Sequence, residues 1–152
     1  MAISEIDARL QIIGALAVAL DQLALAVACL SQAFEQLSDD KADQLEGELS
    51  RPVQKAYGLA RRTMDGFGRR YELTGPEPKV LSPGLASQGV KAFIDQTVQA
   101  AGTADITIAE LQDSMLPIGS GDPELRQGLA EVRELLAGLP AGARDFLRTL
   151  GR

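Results

Sequence analysis

IIGALAVALDQLALAVACL, residues 12–30, carries only two polar side chains, Asp21 and Gln22. Such a run crosses a membrane, fills a folded core, or waits for a partner. A spanning helix needs about 20 apolar residues. The run approaches that length, but Asp21 falls at its middle, where a carboxylate costs about 2.5–3.5 kcal/mol on insertion scales. Alanine offsets little of that, and no basic cluster flanks the run. Glu5 and Asp7 precede it, where a secretory signal would be basic. Neither a membrane span nor a signal peptide is expected.

The spacing of the large apolar residues gives a different answer. Ile6, Leu10, Ile13, Leu16, Leu20, Leu23, Val27, Leu30, Phe34 and Leu37 follow at steps of three and four. That is one face of an α-helix sustained over about nine turns. Ser4 reads as its N-cap, with Asp7 assisting the positive end of the helix. Alanine fills the flanking positions, so neighbouring helices can approach closely on more than one side. A helix roughly 50 Å long suggests a hairpin or an oligomeric bundle. Leu16, Leu20, Leu23, Val27, Leu30 and Phe34 are the expected interface or core positions of this seam.

SDDKAD, residues 38–43, reads as a turn. A second helical pattern follows to Leu73 through Leu45, Leu49, Val53, Tyr57, Ala60, Met64, Phe67 and Tyr71. Pro52 interrupts it, and proline inside a helix removes a donor and clashes with the preceding turn. A kink or break is expected at residues 49–52, with Ser50 capping a fresh helix. TGPEPKVLSP, residues 74–83, holds three prolines and a glycine and reads as a linker. Beyond it a helix is expected from Ser82 and Pro83, ended or bent at Gly102. Another is expected over residues 104–116, then a loop at PIGSGDP. Asp122–Pro123–Glu124 reads as a helix start, Gly138 and Pro140 as its stop, and a short helix carries Phe146, Leu147 and Leu150. The expected fold is all-α: a long antiparallel hairpin (1–73), a Pro/Gly linker (74–83) and a smaller helical segment (84–152), bundle-like.

Composition narrows the chemistry. Apolar residues make up 45% and aromatics only 4%, an Ala-rich balance that suits close helix packing. Histidine is absent, which removes Ser-His-Asp and Cys-His nucleophiles, His-containing zinc sites and histidine switches. Cys29 is the one cysteine, so no internal disulfide forms and a reducing compartment is the default. Beside an apolar seam it reads as an inert thiol. The acidic turn around Asp39, Asp40 and Asp43 lacks the ligand order and central glycine of an EF-hand loop. The Gly-rich stretches 66–68 and 118–123 lack the order of a phosphate loop. No catalytic residue, cofactor or metal is expected, and no enzyme.

Charge is unevenly placed. The first fifty residues hold nine acidic against two basic side chains, and residues 51–80 hold seven basic against three acidic. Arg51, Lys55, Arg62 and Arg69 recur on one face of the second helix. Charge pairing within the hairpin plus a solvated face accounts for them, with an acidic protein surface as the functional alternative. The net charge of -6 and the aromatic spacing speak against nucleic acid. Gly58 and Gly66 lie on a similar face and suggest close approach of another helix, or tolerance of a poor helix former.

AVALDQLALAVACLSQAFEQL, then SDDKAD, then LSRPVQKAYGLARRTMDGFGRRYEL resembles the helical-hairpin proteins of high-GC actinobacteria. Some of these are related to the Trp-x-Gly substrates of type VII secretion. The likeness covers residues 1–73 and is architectural. Trp-x-Gly is missing at the turn, and Tyr57 and Tyr71 are followed four residues on by Arg61 and Gly75 in place of the acid of the export signal. The expected function is a non-enzymatic helical interaction or scaffold protein that self-associates or pairs with another helical protein. The alternative is a regulatory or immunity-type protein using the basic face. A cytoplasmic location is expected, with type VII-like export as the alternative that the resemblance carries.

Overall fold

The computed structural model describes residues 4–151 and places the opening stretch in the middle of the central helix. Helix α1 runs from Glu5 to Glu35. Ser4 caps it as expected, its Oγ accepting the Asp7 N–H at 3.1 Å. The other helices are α2 (Asp39–Leu45), α3 (Arg51–Arg70), α4 (Val90–Asp113), α5 (Leu116–Ser120), α6 (Pro123–Ala137) and α7 (Leu139–Leu150). The fold is all-α, with no strand among the described residues.

Of the kink or break expected at residues 49–52, the break does not occur. Residues Glu46–Ser50 form a π-helical turn that joins α2 to α3 without ending the rod, and the Arg51 N–H bonds to the Glu46 carbonyl. Ser50 is itself helical and its side chain caps nothing. The wider turn relieves the clash between a proline ring and the carbonyl four residues before it.

Helix α1 packs most extensively along α4 and then along α3, while α3 packs mainly on α6. The Gln36 Nε2 donates to the Ala86 carbonyl at 2.8 Å, so α4 begins where α1 ends and runs antiparallel to it. Ile13 lies beside Gly68, so α3 also runs antiparallel to α1. Arg70 meets Asp122, which sets α6 antiparallel to α3. The result is a four-helix bundle whose packed neighbours all run in opposite directions. Helix α7 closes the π-turn end, where Lys41 and Gln44 reach Thr149 and Gly142 sits on Leu49. One apolar core joins Leu16, Leu23, Phe67, Phe93 and Phe146, so the segment after the linker shares its core with the hairpin. By length and composition α1 could cross a bilayer, and half of its most apolar window is buried inside the fold.

The linker is the crossover that this topology requires. Gly75 sits by Ile13, and Ala86 sits by Gln36. The 23 chain steps from Ile13 to Gln36 along α1 and its cap span about 35 Å. The 11 chain steps from Gly75 to Ala86 reach about 36 Å only when fully extended. Pro76, Pro78 and Pro83 hold φ near the extended range and favour that path. Lys79 N–H donates to Asp21 Oδ1 at 3.1 Å. The one acid in the apolar run thus anchors the crossover.

Three expectations about helix limits are corrected. The third helix starts at Val90 rather than Ser82, because Gly84 and Gly89 adopt φ of 97° and 88°, outside the helical region. Leu85 is consequently 74% exposed. Gly102 neither ends nor bends α4, and residues 104–113 continue it. The cost of a mid-helix glycine, about 1 kcal/mol, is small beside burial of Phe93, Ile94, Ile108 and Leu111 in the core. PIGSGDP is in part helical (α5); α6 does stop at Ala137 with Gly138 as its cap, as expected, and Pro140 falls in the first turn of α7.

Candidate functional site

The outer groove between α1 and α3 gathers most of the features that the sequence singles out. Its inner side is sealed by the core. Its middle is crossed by the extended strap of residues 75–81, which leaves a space of about 480 Å³ beneath. Toward the end of α1 lies a smaller notch of about 240 Å³, formed by Val27, Leu30, Ser31 and Phe34 with Glu46, Ser50 and Gln54.

The six seam residues divide between core and notch. Leu16, Leu20, Leu23 and Leu30 are buried within the chain's own bundle, and Leu23 is fully buried. Val27 is half-buried and Phe34 is 42% exposed. Of these six, Val27 and Phe34 are left open beside the π-turn; at the near end of the wider pattern Ile6 and Leu10 are exposed as well.

Arg51, Lys55, Arg62 and Arg69 all face solvent. Among the described residues the ion pairs involve other cations: Arg61 with Asp65 at 3.9 Å, Arg70 with Asp122 and Glu124, Arg133 with Asp105, and two short-range pairs on α4 and α7. The expected charge pairing between α1 and the second helix is absent from this set. Its place is taken by the Arg9 guanidinium, 4.2 Å from the centre of the Tyr71 ring. Gln54, which lines the notch, precedes Lys55 in the chain, and Glu46 is the one charged residue in the lining.

Gly58 and Gly66 do not admit another helix. A Cβ there would meet the Arg62 and Arg70 guanidinium groups at 3.3 and 3.0 Å. Close helix approach occurs at Gly128 instead, where Thr63 of α3 fills the space a side chain would need. Cys29 is fully buried and burial pushes its thiol up, which keeps it protonated and unreactive. Among the described residues no three Cys, Asp or Glu side chains converge to hold a metal ion.

Arg70 and Asp122 form the cluster that sequence reasoning missed. The Asp122 carboxylate is 3% exposed, accepts two hydrogen bonds from Arg70 and caps α6 at the Leu125 N–H. Burial opposes its ionisation, but the Arg70 and Leu125 hydrogen bonds outweigh that and hold its pKa below the usual aspartate range. The Asp-Pro-Glu signal marked Asp122 as a cap, and nothing local marked its partner.

The fold and groove define a four-helix bundle with one long crossover and an open notch on its hairpin face. Comparison of the chain with protein-family models, with curated proteins and with solved structures gives no match.

Proposed function

We propose that this is a non-enzymatic helical interaction protein whose notch at Val27 and Phe34 receives an acidic amphipathic helix of a protein partner. The observation that carries this reading is a 42%-exposed Phe34 in an open notch whose α3 lining residue Gln54 is followed in the chain by Lys55; Arg51 and Lys55 are exposed and free of ion pairs among the described residues, and Glu46 is the one charged residue in the lining. An apolar anchor from the partner would enter the notch, and its carboxylates would face the basic stripe. Helix-in-groove recognition uses this division, with apolar contacts supplying affinity and charge supplying orientation and speed of encounter. The likeness of residues 1–73 to actinobacterial hairpin proteins favours a binding role over a catalytic one, and the cytoplasm remains the proposed location. No membrane span is proposed for α1, because Asp21 lies at the middle of its apolar run and ties the crossover there.

A pull-down from the native host tests the reading, run with the wild-type chain, Phe34→Ser and the pair Arg51→Glu with Lys55→Glu. Capture of an acidic helical protein by wild type alone, weakening as salt rises, is the expected result. Capture that survives both variants ends the proposal. A concentration-dependent dimer in light scattering that both variants disrupt would make a second copy of this chain the partner, with the acidic residues of α2 supplying the complementary charge.

A further inference from the structure

We propose that the space beneath the strap is a binding site for a neutral, largely apolar small molecule, separate from the notch. Its volume of about 480 Å³ falls within the roughly 300–1,000 Å³ of small-molecule sites. Its floor is α1, where Ala17, Ala24 and Ala28 stand in line with Leu20 and Leu25 and leave room that larger side chains would fill. Tyr57 and Met64 of α3 form one wall and Pro76, Pro78 and Leu81 of the strap form the roof. Such a lining, mostly aliphatic with one half-buried phenol at Tyr57 for orientation, is the composition that small-molecule sites share.

Two features select the occupant. The strap bars a helix, which is about 10 Å across, but leaves room for a ring system or an alkyl chain. The charged groups at the site are Arg61 and Lys79 against Asp21 and Asp65, which balance. A carboxylate or an amine would therefore find no net attraction, and a neutral ligand meets no cost of charge burial. Residues 74–84 make no backbone–backbone hydrogen bond to the described residues, and the Lys79–Asp21 bond is the main polar tie over the site. A ligand bound beneath the strap adds the apolar contact the strap lacks; Val80, 97% exposed, shows how little of the strap is packed down.

The test is a fluorescence titration of the purified chain with the neutral probe N-phenyl-1-naphthylamine, followed by displacement with decanol and with decanoate. One saturable site with a dissociation constant of roughly 10 μM is expected, with decanol displacing the probe at lower concentration than decanoate. Ala28→Phe fills the floor and should weaken probe binding at least about tenfold while the helical circular dichroism is kept. Ala24→Phe, at an exposed position of the same floor, repeats the test should Ala28→Phe fail to fold. Absence of saturation, or folded Phe variants that bind as wild type does, overturns the site. Displacement by decanoate and not by decanol overturns the neutral ligand.

Discussion

Arg70 and Asp122, 52 residues apart in the chain, meet through two parallel hydrogen bonds of 2.8 and 3.0 Å. The same carboxylate accepts the Leu125 N–H at 3.0 Å, so one buried group ties the end of α3 to the start of α6. Asp122→Ala removes the cap and strands the guanidinium, and should cost about 3 kcal/mol in denaturant melts. Asp122→Asn keeps the cap and should cost less. Because the folded pKa of Asp122 is depressed, its ionic contribution is complete above the unfolded aspartate pKa and fades as pH falls through the folded value. The stability gap between wild type and Asp122→Asn should therefore hold constant above about pH 5 and narrow below about pH 4. A gap that is flat throughout refutes the ionic role.

Thr63 and Gly128 set how closely α3 and α6 approach. The Thr63 hydroxyl donates to the Leu59 carbonyl at 2.8 Å, which fixes the side chain that a new Cβ would strike. Gly128→Ala should destabilise by about 1–3 kcal/mol. Adding Thr63→Ala should restore most of the loss, measured as a double-mutant cycle. Additive costs would mean that the two residues do not share this contact.

The crossover has no slack. Deleting Pro76 and Glu77 shortens its reach by about 7 Å, so α4 cannot keep its register along α1. Thermal melting should lose its cooperative transition or shift sharply downward. Inserting two glycines at the same place lengthens the loop at an entropic cost well under about 1 kcal/mol and should change the melting temperature little. Equal tolerance of both changes would disprove the extended path.

Leu23 and Phe34 belong to one sequence pattern but to different environments. Leu23→Ala, at a fully buried position, should cost about 2–5 kcal/mol. Phe34→Ala, at the open end of the seam, should cost under about 1 kcal/mol. Chemical denaturation of the two variants checks the order, and a reversed order would place the core elsewhere.

Much of this architecture is written locally. Steps of three and four from Ile13 to Leu30 require a helix with a buried face, and Ser4 and Asp122 announce helix starts because each supplies a side-chain oxygen to the N–H three residues on. The π-turn was legible only as a disturbance at Pro52, since the wider turn and a break are both local answers to a missing donor. Gly102 misled because its penalty is local and small, whereas the burial that overrides it comes from contact with α1.

What covers α1 lay beyond local reading. An apolar face is non-directional, so periodicity states that it is buried and leaves open whether α3, α4 or a second molecule buries it. The strap's course decides that α4 does, by carrying the chain back along α1 before α4 begins. Charge behaves the same way: six arginines and lysines between Arg51 and Arg70 look alike in sequence, and only Arg70 lies within reach of a buried carboxylate. Helix identity and caps follow from neighbours in the chain, while the sealing of α1, the opening at Phe34 and the space under the strap arise from distances that exist only once the chain is folded.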